Sequence, residues 1–230
     1  MRHFASYFLL LFVVAAGVCL SGEWANYAPA VWFSKPLLMP ALLLWIWSQV
    51  PERSGPFRAL LWSLTFATAG DVLLMFAGRG AKGGAGWFEA GIGAFLLAQC
   101  AYIAAFRQMA AGRIAVWRRS PWLTILLTVY VFALMCLILP AAAAALRGPV
   151  LVYGFSLYGA ALMALNLRGA NGAETIFAGM TLFVISDSLI AINRFVQPLP
   201  AAGVWIMATY IVGQFLIVKG TLRWFACKGI

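Results

Sequence analysis

Ionisable side chains are what this sequence has least of, and their scarcity excludes several kinds of site. Only 10% of the 230 residues are charged, and the one histidine is His3, near the start of the chain. A histidine-rich zinc centre and a histidine-activated serine or cysteine nucleophile both need more imidazoles than that. The four cysteines lie in or at the ends of apolar runs, without the short spacing of a metal motif or a disulfide framework. We therefore expect no metal ion and no organic cofactor.

Apolar residues take the place of charge. They make up 64% of the chain, and the mean hydropathy is +0.94, which is typical of a polytopic membrane protein and not of a soluble domain. The net charge of +10 does not indicate a nucleic-acid partner, because the basic residues lie in short loops between apolar runs. We expect the lipid bilayer to be the partner of this surface, and no nucleic acid.

Eight apolar runs are long enough to cross a bilayer, and each is continuously apolar, not alternating. They cover 4–20, 31–49, 57–78, 87–106, 121–140, 149–167, 173–194 and 201–222. The first resembles a signal peptide in length, but no clear cleavage site follows it, so we expect it to be retained. The prediction is a single all-α membrane domain over residues 1–230, a bundle of eight transmembrane helices.

Lysine and arginine predict the orientation of the bundle. One side would carry Arg2, Arg53, Arg58, Arg107, Arg113, Arg118, Arg119, Arg168, Lys219, Arg223 and Lys228. The other would carry Lys35, Arg79, Lys82, Arg147 and Arg194. Since the cytoplasmic side takes the excess of positive charge, both termini should be cytoplasmic. We expect a multi-pass protein of a bacterial inner (cell) membrane.

The chain has only two aspartates, Asp71 and Asp187, and each falls within a predicted span. A carboxylate in hydrocarbon costs about 2.5–3.5 kcal/mol even on the lenient insertion scale. Both lie about 14 residues past the inner boundary of spans that run in the same direction, hence at roughly the same depth. We predict that they form one buried catalytic site; hydrogen bonding to neighbouring helices is the structural alternative.

Other polar residues in or near the spans are candidates for binding a substrate. They are Lys35, Gln99, Tyr102, Asn193, Tyr210 and Gln214. Lys35 opens the second span, where it could balance a carboxylate, hold a lipid phosphate or serve as an interfacial anchor. The two glutamines could orient water or bond neighbouring helices, and each tyrosine lies near one of them along its helix. Asn193 could equally well cap its helix.

A weak internal repeat relates the two halves. Asp71 is followed 28 residues later by Gln99, and Asp187 is followed 27 residues later by Gln214. Four spans in each half would give both halves the same orientation, related by an axis along the membrane normal. Chance alignment of apolar runs is the alternative explanation of this possible 4+4 repeat.

Five segments in order resemble motifs of a known family: 34–37, 70–74, 93–102, 186–195 and 210–217. Together they resemble the YhhN-like lysoplasmalogenases, a family of transmembrane alkenyl-glycerophospholipid hydrolases. The resemblance implies hydrolysis of the vinyl ether bond of lysoplasmalogens to a fatty aldehyde and a glycerophospho-base. It matches Asp71 and Asp187 to two intramembrane acidic positions and Lys35 to a lysine that opens the second span. Many members have histidine where this chain has Gln99.

The residues and the resemblance join in one hypothesis. Burial and mutual repulsion would hold a proton on one aspartate, the general acid, while the other stays ionised. The substrate would be a lysophospholipid, and no oligomeric state is indicated. The alternatives are a proton-coupled transporter of lipid or small molecules that uses the same aspartates, and a non-catalytic lipid-binding protein. A pocket closed at one end and open to lipid would favour hydrolysis over transport.

Overall fold

The computed structural model describes residues 2–77, 84–112, 118 and 120–229. Eight long helices cross the bundle: α1 Arg2–Trp24, α2 Ala28–Trp47, α3 Gly55–Ala77, α4 Gly84–Met109, α5 Pro121–Ala141, α6 Ala144–Asn166, α7 Ala173–Ala191 and α8 Ala202–Lys228. A π-helical turn, Ile192–Val196, continues α7. All eight helices are long and apolar enough to span a membrane, which confirms the predicted all-α class and the number of spans within the described residues.

Helices form here because hydrocarbon offers no hydrogen-bond partner to the backbone, and an apolar segment can satisfy its own peptide groups only by coiling. Helix α2 also retains Pro36 and Pro40 in its interior, as membrane helices more often do than soluble ones. Arg79, Lys82, Arg113 and Arg119 lie outside the described residues. The orientation of the termini stays a prediction.

The helices pack in close pairs. α3 lies along α4, α7 lies along α8, and α1 lies along α2, while α4 also contacts α6. α5 packs mainly against α6 and the π turn, and most of its apolar side chains are exposed to the surroundings of the bundle. The inner faces of α3, α4, α6, α7 and α8 therefore surround the centre of the bundle.

Glycines allow a close approach within two of these pairs. A Cβ on Gly213 of α8 would lie 2.9 Å from the carbonyl oxygen of Gly179 on α7, and a Cβ on Gly179 would lie 2.6 Å from that of Gly213. In α3, a Cβ on Gly70 would lie 2.5 Å from the ring of Phe95 on α4. Small residues at such crossings let membrane helices approach closely. They fix α8 against α7, and Phe95 beside the residue that precedes Asp71.

The two closest hairpins, α3–α4 and α7–α8, correspond to the parts of the chain that the proposed repeat would relate. Each carries one aspartate on its first helix and one glutamine on its second. Internal duplication itself stays a prediction.

Candidate active site

Both aspartates lie near the same end of the bundle. Asp71 follows the start of α3 by sixteen residues and Asp187 follows the start of α7 by fourteen, or roughly 24 and 21 Å along helices that run in parallel. Both helices end a short distance beyond these residues, so neither carboxyl lies at the middle of its helix. The two levels differ by less than one helical turn.

Asp71 is held by two neighbours and is almost completely buried. The Lys35 Nζ on α2 lies 3.6 Å from its Oδ1, and the Tyr210 hydroxyl on α8 donates to its Oδ2 over 2.8 Å. Only 4% of the Asp71 side chain and 15% of the Lys35 side chain are exposed. Lys35 thus turns into the bundle towards the carboxylate, and the ion pair offsets the cost of burying either charge alone.

Asp187 has a different environment. Its Oδ2 accepts a hydrogen bond from the Tyr153 hydroxyl on α6, and within the described residues no lysine or arginine forms a salt bridge with it. Its side chain is only partly buried, and it lines a cavity. Among the described residues, therefore, Asp71 is the carboxyl that has a compensating cation and Asp187 is the one that borders a cavity.

The cavity beside Asp187 has a volume of about 70 Å³ and is almost entirely apolar. Its wall is formed by Leu74, Phe88, Ile92, Phe95, Val150, Tyr153, Asp187, Ile190, Ala191 and Phe195. Asp187 and Tyr153 supply the polar groups, and Asp71 is not part of the wall. Since a water occupies about 30 Å³ in the liquid, the space holds one or two waters or a few atoms of a chain.

A group of packed aromatic rings lies between the surroundings of the two carboxyls. The Phe95 ring lies 6.1 Å from the Tyr210 ring and 6.3 Å from the Phe183 ring, and these two rings lie 5.6 Å from each other. Tyr210 bonds Asp71 while Phe95 forms part of the cavity at Asp187. The structure thus brings the two predicted aspartates into one region.

The predicted glutamines and Tyr102 lie in the same core. The Tyr102 hydroxyl on α4 donates to Gln214 Oε1 on α8, so this pair joins the two halves of the chain. Gln99 is completely buried and approaches the Tyr153 hydroxyl, yet neither of its amide atoms has a hydrogen-bond partner among the described residues. An unpaired buried amide is costly, and a bound water or ligand would satisfy it.

Asn193 lies apart from this cluster. Its Oδ1 accepts a 2.9 Å hydrogen bond from the backbone N–H of Leu199, in the segment that follows the π turn. This contact ties the π turn to the loop that follows it, and it satisfies none of the free carbonyls at the end of a helix.

Tyr153 is the candidate that sequence reasoning missed. Nothing in its apolar surroundings distinguishes it from a packing residue. The depth of Tyr153 in the membrane could have identified it. Helix α6 begins at the end of the bundle where α7 ends, and Tyr153 lies nine residues, or roughly 14 Å, into α6. This depth is similar to that of Asp187, so the sequence alone could have predicted that the two side chains lie at the same level.

Together, the fold and the buried acidic pair define a polytopic helical membrane protein with an intramembrane polar site. Residues 30–221 match the YhhN family, and the chain belongs to that family. It is 30% identical to lysoplasmalogenase TMEM86B of Homo sapiens over 206 residues, covering 87% of this chain and 80% of the human protein. It is 31% identical to lysoplasmalogenase TMEM86B of Sus scrofa (78% and 70% covered) and to lysoplasmalogenase TMEM86A of Homo sapiens (70% and 63% covered). No solved structure matches the chain.

Proposed function

We propose that this protein is a lysoplasmalogenase, an intramembrane hydrolase that cleaves the vinyl ether bond of a lysophospholipid. The family and the names of its relatives support the reaction class. The single observation that carries the proposal further is the pair of carboxyls in two unlike environments, one paired with a cation and one beside an apolar cavity.

This difference supports opposite roles for the two carboxyls. Asp187 carries the proton, because a carboxyl that borders an apolar cavity and has no salt bridge among the described residues is less costly in its neutral form. Asp71 stays ionised, because Lys35 and the Tyr210 hydroxyl both stabilise its charge. The site then holds a proton donor facing the substrate and a fixed negative charge behind it, which is the division of labour that acid catalysis through an oxocarbenium ion needs.

The reaction balances with water as the only co-reactant. The Asp187 carboxyl gives its proton to the vinyl carbon farther from the ether oxygen, which leaves an oxocarbenium ion at the nearer carbon. Asp187, now ionised, stabilises that cation at short range. Asp71 stabilises it from a greater distance, across the rings of Phe95 and Tyr210. Water attacks the cationic carbon and returns a proton to Asp187. The hemiacetal then collapses, its hydroxyl proton passes to the glycerol oxygen, and the carbon–oxygen bond breaks to give a fatty aldehyde and a glycerophospho-base.

Gln99 and Tyr153 would position the water. Gln99 has an amide donor and acceptor to spare beside Tyr153, and Tyr153 bonds the acid itself. A water held there would approach the cationic carbon from the protein side, while the lipid tail stays in hydrocarbon. The cavity of about 70 Å³ has room for the reacting atoms of the vinyl ether beside Asp187.

The test is release of aldehyde by the purified protein from a lysoplasmenyl-ethanolamine. We expect turnover by the wild type and a loss of about 10²–10⁴-fold in kcat for Asp187→Asn, the usual contribution of a general acid. Asp71→Asn should also lose turnover, because the charge that stabilises the cation is gone. The matched control is Glu174→Gln, an exposed acidic residue at the opposite end of α7. Absence of aldehyde with the wild type, or unchanged release by Asp187→Asn, would refute the proposal.

A further inference from the structure

The head group of the substrate has no assigned partner, because Lys35 is engaged with Asp71 inside the bundle. We infer that Arg194 binds the phosphate of the lysolipid and so sets the position of the vinyl ether at Asp187. This inference rests on the proposed function. The group that Arg194 recognises is a phosphate monoanion on a glycerol backbone.

The first observation is the π turn that carries Arg194. Regular α-helix would rotate Phe195 about 80° away from the face of Asp187, eight residues earlier. The wider π turn removes most of that rotation, and Phe195 lines the same cavity as Asp187. Single π turns in membrane and soluble helices alike occur frequently at functional sites. Here the turn brings the end of α7 over the cavity and places an arginine at its rim.

The second observation is the contact that Arg194 makes. The centre of its guanidinium lies 4.9 Å from the centroid of the Phe88 ring, and Phe88 in turn packs against Phe195 at 6.1 Å between centroids. Both rings form the wall of the cavity. The Arg194 guanidinium is thus held over an aromatic ring of the cavity wall and does not simply extend into the surroundings. Stacking of this kind orients a guanidinium and leaves its N–H groups available to an oxygen anion.

The third observation is the charge balance at this rim. Arg194 is exposed, and among the described residues no carboxylate lies within the 4.0 Å of a salt bridge to it. The other described arginine near this end, Arg147, donates instead to the backbone carbonyls of Ala142 and Pro140. Arg194 therefore has unused capacity for an anion, and a phosphate takes two parallel N–H donors from one guanidinium.

The reach fits the substrate. Arg194 follows Asp187 by seven residues, or roughly 10 Å along the helix axis. In a lysoplasmalogen, seven bonds separate the vinyl carbon that takes the proton from the phosphorus, an extended span of about 9 Å at ordinary bond lengths. A lipid whose phosphate meets Arg194 would present its vinyl ether at the level of Asp187, with the tail continuing between the apolar side chains towards hydrocarbon.

The experiment compares two substrates with the same alkenyl chain, one with a glycerophosphoethanolamine head and one with free glycerol. Both are assayed by aldehyde release in non-ionic detergent micelles without phospholipid. For Arg194→Ala we expect the KM of the phosphate-bearing substrate to rise about tenfold or more, since a charge-assisted hydrogen bond is lost. For the alkenylglycerol, which has no phosphate for Arg194 to hold, both KM and kcat should stay within twofold. Arg194→Lys should raise the first KM by a smaller factor, because charge remains but the bidentate geometry is lost.

Arg223→Ala is the matched control, because Arg223 is an exposed arginine on α8 at the opposite end of the bundle. It should change neither KM. An unchanged KM for the phosphate-bearing substrate in Arg194→Ala overturns the inference, and so does an equal rise for both substrates, which would indicate a structural role. Either result leaves the proposed hydrolysis standing.

A second measurement separates the two proposals if the wild type releases no aldehyde. Binding of a non-hydrolysable 1-alkyl lysophosphoethanolamine is followed by tryptophan fluorescence. Weaker binding by Arg194→Ala, with the alkylglycerol bound equally by both proteins, supports the phosphate site even though hydrolysis has failed. Equal binding of the phosphate-bearing lipid by wild type and variant overturns it.

Discussion

Replacing Lys35 with methionine tests whether the buried ion pair stabilises the fold. Met has a similar length and no charge, so the change leaves the Asp71 carboxylate without its cation in a position where 4% of the side chain is exposed. At 3.6 Å and an effective dielectric constant of about 20, the pair contributes about 4–5 kcal/mol of Coulomb energy. Removing one partner of a buried pair costs about 3–5 kcal/mol in measured cases, which agrees.

The protein offers its own reporter for this measurement. Cys19 on α1 is completely buried and lies beside Ser34, the residue before Lys35, whereas Cys100, Cys136 and Cys227 are exposed. In a background with the three exposed cysteines changed to serine, a thiol-reactive fluorogenic dye reports the temperature at which Cys19 becomes accessible. At about 2–4 °C for each kcal/mol in a chain of this size, we expect Lys35→Met to lower Tm by about 10 °C.

The double variant Lys35→Met/Asp71→Asn tests whether the unpaired Asp71 carboxylate causes the loss of Tm. Neither position of the pair then carries a charge, so the double variant should regain at least half of the lost Tm, because replacing both partners is far less costly than removing one. Lys228→Met, an exposed lysine at the end of α8, should change Tm by no more than about 2 °C. A Lys35→Met protein as stable as the wild type, or a double variant no more stable than the single one, would refute the reasoning.

Two further variants separate function from stability. Tyr153→Phe removes the hydroxyl that bonds Asp187, and we expect kcat to fall about tenfold with little change in KM; unchanged kcat would show that this bond has no part in proton transfer. Gln99→Leu removes an amide with no partner among the described residues, so the dye assay should give an equal or higher Tm while turnover falls. A lower Tm would mean that the amide is bonded in the folded protein. Unchanged turnover would mean that the amide holds no catalytic water.

Much of the architecture could be predicted from the sequence because hydrocarbon imposes one solution on an apolar chain. The eight spans, the all-helical class and the family follow from continuous apolar runs and from the motifs around Lys35, Asp71 and Asp187. The cost of a charge in the membrane made these residues conspicuous without any coordinates. A tyrosine carries no such penalty, so only the packing of α6 beside α7 distinguishes Tyr153 from an ordinary packing residue.

The sequence by itself determined that two carboxyls and the amides of two glutamines would lie inside a helical membrane protein, because lipid at that depth offers them no hydrogen-bond partner. It left open whether Lys35 would join them or anchor the bundle at the interface. Only the tertiary structure decided how they are distributed: Lys35 and Tyr210 on Asp71, Tyr153 and an apolar cavity on Asp187, Asn193 on a backbone N–H. The physical reason is that depth along a helix can be counted from residues, whereas the rotation and pairing of helices depend on side-chain packing across the whole bundle. Contacts such as those of Gly179 with Gly213 and of Gly70 with Phe95 set that packing.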